Sequence, residues 1–146
     1  MSLHGESRSD TRQTFFDVWK KMRDGLPMTA LESLIADVIR LHPEYHALLD
    51  SGSGSLDKDW LPEGGETNPF LHMGMHIAIR EQLSIDRPPG IKAAYEALLA
   101  KTRDVMQTEH QMLECLGETL WRAQRENRMP DEQLYLDLVR RQAGLG

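Results

Sequence analysis

The chain has a single cysteine, Cys115, among its 146 residues. No intrachain disulfide can form, and a reducing cytoplasm is the natural setting for such a chain. Nothing around Cys115 supplies the positive charge that a reactive thiolate needs, so it reads as a small hydrophobe buried in a helix. Long apolar runs are also missing. None approaches the roughly 20 residues that span a bilayer, and the polar stretch from Met1 to Asp10 lacks the apolar centre of a secretory signal. Basic charge is in deficit, with 17 Lys and Arg against 23 Asp and Glu, a net charge of −6. The basic residues are scattered apart from small groups such as Lys20-Lys21 and Arg140-Arg141. Such a surface disfavours a phosphate backbone, so neither nucleic acid nor membrane is an expected partner. There is no sustained strand-like alternation, internal repeat, Walker loop, dinucleotide-binding glycine pattern, nucleophile elbow or zinc-type cysteine pair.

What is present is ordinary globular composition, 40% apolar and 27% charged, in a length that suits one hydrophobic core. The apolar residues recur at helical spacing. Asp10 with Gln13 resembles a capping box ahead of Phe15, Val18, Trp19 and Met22, and Gly25 and Pro27 end that helix. Thr29 with Glu32 opens a second helix carrying Leu31, Leu34, Ile35, Val38 and Leu41. Pro43 stops or kinks it and suits the first turn of a short helix containing His46, Leu48 and Leu49. Residues 50–67 read as the one long loop, with a flexible Ser51-Gly52-Ser53-Gly54-Ser55 and a middle pinned by Leu56, Trp60 and Leu61. Asn68-Pro69 starts a helix from Phe70 to about Leu83 that is apolar on most sides and therefore belongs in a core. Pro88-Pro89 breaks the chain sharply. Ile91 to Asn127 divides into two helices at Thr102 to Asp104, where Asp104 and Gln107 offer a new cap. A last helix begins near Pro130-Asp131 and ends before Gly144. The expectation is an all-α, single-domain helical bundle of about four to six helices over residues 10–143, behind a flexible N-terminus at 1–9.

Five of the six histidines fall into a simple pattern. His42 and His46 are four apart, His72 and His76 are four apart, and His110 is four before Glu114. Residues four apart share a helix face, with Cβ atoms about 6 Å apart, close enough to reach one ion. Random scatter would give about a quarter of one such His pair; two occur. If successive helices alternate in direction, His72 and His76 lie about 6–12 Å along their helix and His110 and Glu114 about 9–15 Å along a parallel one. The levels overlap. Imidazole and carboxylate are the usual ligands of zinc, iron and nickel, so His72, His76, His110, Glu114, His46 and His42 are the candidate metal ligands. His42 comes last, because Pro43 disturbs its backbone.

Bland readings stand beside this one. Buried histidines are often satisfied by carbonyls and hydroxyls. His42 can cap the turn that begins at Pro43, and Glu114 can share a solvated face with Glu109 and Glu118. Arg80, Glu81, Asp86 and Arg87 can line a polar pocket, but they read more readily as a solvated salt-bridge cluster. His72-Met-Gly-Met-His76 has the ligand spacing of a zinc-peptidase helix, but it lacks the glutamate that acts there as general base. His4 belongs to the N-terminus.

Four stretches carry a family resemblance: His42-Pro43-Glu44-Tyr45-His46, Asn68-Pro69-Phe70-Leu71-His72, Ser84-Ile85-Asp86-Arg87-Pro88-Pro89-Gly90-Ile91, and Glu114-Cys115-Leu116-Gly117-Glu118 through Trp121. From about Phe15 to Leu138 the chain resembles a bacterial family known as domain of unknown function 1841. The resemblance implies a small cytoplasmic bacterial protein and transfers no activity, substrate or site residue. In site type alone, the histidine pairs are similar to those of hemerythrin-like and DinB-like helical proteins. Their order here, His/His, His/His, His/Glu, departs from the hemerythrin order, and the likeness is analogy. Three readings follow: a helical protein holding a divalent transition metal between helices; a metal-free interaction domain that binds another protein or a second copy of itself; and, last, catalysis by His and Glu without metal, against which stands the lack of an evident nucleophile. Whether there is a reaction, and on what small molecule, the residues leave open.

Overall fold

A computed structural model describes residues 8–52 and 68–146. Among them are seven α-helices and one 3-10 turn, and no strand: the all-α class is found as expected. The helices are α1 (Arg8–Asp24), α2 (Ala30–Arg40), α3 (His46–Asp50), α4 (Pro69–Ile85), α5 (Ile91–Thr102), α6 (Val105–Arg125) and α7 (Glu132–Gln142), with the 3-10 turn at Pro43–Tyr45. The five-residue α3 brings the count to seven. The chain divides into two compact units, Met1–Ile77 and Ala78–Gly146, the boundary falling inside α4. His4 and the expected anchors Leu56, Trp60 and Leu61 lie outside the described residues.

In the first unit, α1 already begins at Arg8, so Asp10 lies within the helix and is not its cap. The Thr29 box forms as read. The Glu32 amide donates to Thr29 Oγ1 at 3.1 Å and the Thr29 amide to Glu32 Oε1 at 2.9 Å, satisfying donors that a helix start leaves open. One face of α2 then buries Ile35, Ala36, Val38 and Ile39, while Leu41, expected with them, ends the helix and is exposed. These residues pack with Phe15, Phe16, Val18, Leu49, Phe70, Met73 and Ile77 in one core. Asp50 ties the end of α3 to α1, accepting from Trp19 Nε1 at 2.8 Å and from Arg23 Nη1 at 2.9 Å.

Asn68 caps α4 through its Oδ1, which accepts from the Phe70 and Leu71 amides at 3.0 and 3.2 Å. The helix runs to Ile85, two residues beyond the expected end, and Leu71 and Ile85 are exposed. It is therefore less fully enclosed than its all-round apolar sequence implies.

In the second unit, α5, α6 and α7 pack on one another around Ile91, Ala94, Leu98, Met112 and Val139, all fully buried. The break at Thr102 to Asp104 is where the sequence puts it. Arg103 takes a left-handed φ of 60°, and Asp104 Oδ1 accepts from the Gln107 amide at 3.0 Å. Asp131 caps α7 in the same way, accepting from Gln133 and Leu134.

One cap departs from the sequence reading. Gly90, with φ 99°, offers no side chain at the start of α5. Asp86 takes over that role: its Oδ1 accepts from the Lys92 amide at 2.9 Å and its Oδ2 from the Gly90 amide at 3.3 Å. Asp86 is thus a cap and not part of a solvated ion-pair cluster. Those two backbone bonds, Lys92 first, hold its carboxyl below the usual range. A lowered folded-state pKa gives stability that is present above the unfolded value and lost as pH falls through the folded one. Asp86→Ala is therefore expected to lower the denaturation midpoint at neutral pH. The gap to the wild type should close as the pH drops through the titration of Asp86, which urea titrations at a series of pH values would check.

Candidate metal centre

Pro43 decides the local geometry. A proline disfavours helical conformation in the residue before it, and His42 accordingly has φ −127° and ψ 63°. The helical spacing rule therefore fails across His42 and His46, and their side chains take different places. His42 makes no side-chain bond to the turn it precedes, so it is not a cap. Its ring turns back along α2, where Nδ1 donates to the Val38 carbonyl at 2.7 Å, and the residue is buried. A carbonyl only accepts, so Nδ1 carries the proton and Nε2 keeps its lone pair in the neutral ring.

His46 goes elsewhere. Its Nε2 donates to the Ile39 carbonyl at 2.8 Å, and its ring lies 4.6 Å from that of Trp19. His46 is thus held on the Trp19 side, and the group of imidazoles described next does not include it.

On α4, His72 and His76 are one turn apart on a continuous helix, as the spacing requires. His76 is buried and His72 partly so. Their Nε2 atoms are 3.3 Å apart. His42 completes the group, its ring centroid 5.1 Å from that of His72 and 4.7 Å from that of His76. The three ring planes cross at 83°, 63° and 76°. One nitrogen from each histidine lies within 4.8 Å of the others. Tyr45 stacks on His42, nearly parallel at 4° and 5.5 Å, and meets His72 edge-on at 6.3 Å. Burial, and secondarily Glu44, pushes its phenol pKa up. The sequence places His42 last among the candidates; in the first unit its ring lies within 5.1 Å of both histidines of α4.

The other candidates belong to the second unit. His110 and Glu114 are one turn apart on α6, and both are exposed. Glu114 borders a pocket of about 230 Å³ lined also by Cys115, Glu118, Leu138 and Arg141. Cys115 is buried, and burial with the adjacent Glu114 raises its thiol pKa to about 11, so it is the inert residue the sequence implies. A larger cavity of about 540 Å³ in the first unit, lined by Trp19, Lys20, Arg23 and Asp50 among others, contains none of the histidines.

Sequence reasoning missed Glu109. Expected on a solvated face, it is 2% exposed and receives a two-pronged bond from Arg80, Nε to Oε1 at 3.2 Å and Nη2 to Oε2 at 2.7 Å. Arg80 is therefore not in a solvated cluster either. The available signal was Arg80 itself, a full charge on a helix that is otherwise apolar on most sides. Burial and the Glu109 carboxylate raise the phenol pKa of Tyr95.

The class defined by these observations is an all-α protein with a cluster of buried and half-buried imidazoles. Residues 7–141 match the family described as Domain of unknown function (DUF1841), and the chain belongs to that family. No curated protein and no solved structure matches it. Among the described residues, no helix is long and apolar enough to cross a membrane.

Removing Arg80 would take from the buried Glu109 carboxylate the two-pronged bond it receives. Arg80→Ala is expected to cost about 3–5 kcal/mol of unfolding free energy. Chemical denaturation would check this, and a loss below ~1 kcal/mol would contradict it.

Proposed function

We propose that the protein binds a divalent transition-metal ion, zinc, iron or nickel, through His42, His72 and His76. The observation that carries this reading is the convergence of three imidazoles in a largely dry place, with His42 held in the tautomer that leaves Nε2 its lone pair. A ligating histidine characteristically donates its other ring N–H to a carbonyl or carboxylate, which fixes ring orientation and raises donor strength. The Val38 carbonyl supplies that partner. The spacing also suits an ion. Two nitrogens bound at 2.0–2.1 Å on a tetrahedral centre are about 3.3 Å apart, the separation of the two Nε2 atoms on α4. An N–H···N hydrogen bond also suits one such pair, but it does not call for a third imidazole. A bound ion gives all three nitrogens a common partner.

His110 and Glu114, in the second unit, are candidates on the sequence pattern alone, and this reading gives neither of them to the ion.

The test is zinc uptake by tag-free protein at neutral pH, measured by equilibrium dialysis, with circular dichroism as the folding control. One equivalent is expected in the wild type. His42→Ala, His72→Ala and His76→Ala should each weaken binding by about a hundredfold or more. His46→Ala should bind as wild type does, because its ring lies against Trp19 and is not one of the converging imidazoles. Wild-type uptake in folded His42→Ala and His72→Ala proteins would overturn the assignment.

A further inference from the structure

The donor set has a consequence for what else the site takes. Among the described residues, the group of possible ligands around His42, His72 and His76 contains imidazoles and no carboxylate or thiolate. Neutral nitrogens leave a divalent ion its full charge, whereas each carboxylate or thiolate would cancel one unit. In a site with two of its three histidines buried, that charge is poorly solvated, and a bound cation is the largest local charge there is. The chain's net charge of −6 works against an approaching anion. That charge is spread over the surface and screened beyond about 10 Å, while a ligand on the ion sits about 2 Å from it. The local term wins.

We infer that the ion carries an exchangeable position for a small inorganic anion that coordinates through one atom. In the exchange, the anion's donor atom forms a bond to the ion and a bound water leaves, with no change of oxidation state. His72, the partly exposed member of the three, marks the side open to exchange. The Tyr45 ring, stacked on His42 at 5.5 Å, sets an aromatic face beside the site. This inference rests on the metal reading above, and the experiment separates the two.

Cobalt(II) takes the same imidazole ligands and reports its coordination in visible d–d absorption. Protein loaded with cobalt(II) is titrated with sodium azide, and separately with sodium perchlorate at matched ionic strength as a non-coordinating control. The inference predicts d–d bands that shift with azide and saturate at ~1–50 mM, with no change in perchlorate. Azide held by surface Lys or Arg would leave the bands where they are. Bands unmoved by azide at ten times that concentration would overturn the exchangeable anion position while leaving metal binding intact. No protein-dependent cobalt spectrum at all would overturn both. Equal shifts in azide and perchlorate would be a salt effect and would also overturn the anion position.

Discussion

The bond from His42 Nδ1 to the Val38 carbonyl, 2.7 Å long, is the constraint on which the candidate site depends. It acts on two levels. Sterically, it turns the imidazole back along α2, toward the face that buries Ile35, Val38 and Ile39, and away from the turn that follows. Chemically, it fixes the tautomer, so that the ring nitrogen left over is a lone-pair donor. Pro43 makes the arrangement possible by ending the helix at the residue before it. Without that break, His42 and His46 would share one face and compete for the same space.

The setting of the three rings explains why the arrangement has consequences. Polar groups inside a core must find partners, and each buried one without a partner costs on the order of 1–3 kcal/mol. The apolar cluster of this unit's core is Phe, Ile, Val, Leu, Met and Ala. Three imidazoles set into it are a concentrated departure from that pattern, and such departures gather where chemistry is done. The Arg80–Glu109 pair in the second unit is a different case. There a buried charge meets a complementary charge within the protein, in two-pronged geometry, and calls for nothing from outside.

Elements and caps were the most legible features of the sequence. Thr29 with Glu32, Asn68-Pro69, Asp104 with Gln107, and Asp131 each announce a helix start through local chemistry, and local chemistry is what a sequence displays. His72 and His76 were legible for the same reason, since they stand on an uninterrupted helix where spacing implies a shared face. His42 and His46 were misread as a pair because the four-residue rule needs continuous helical backbone, and Pro43 interrupts it. Glu109 was misread because its partner is 29 residues away, a separation that no short-range pattern encodes. Asp86 was misread because a cap supplied from four residues before Gly90 has no short sequence signature.

The chain thus contains three histidines brought together from two separated stretches, in a family whose name records no function. The most direct measurement on the central claim is X-ray absorption at the zinc edge of the zinc-loaded protein. A first shell of nitrogen at about 2.0–2.1 Å, with the outer-shell scattering of at least three imidazoles, is the predicted result. A first shell containing sulfur at about 2.3 Å, or one lacking imidazole scattering, would contradict it.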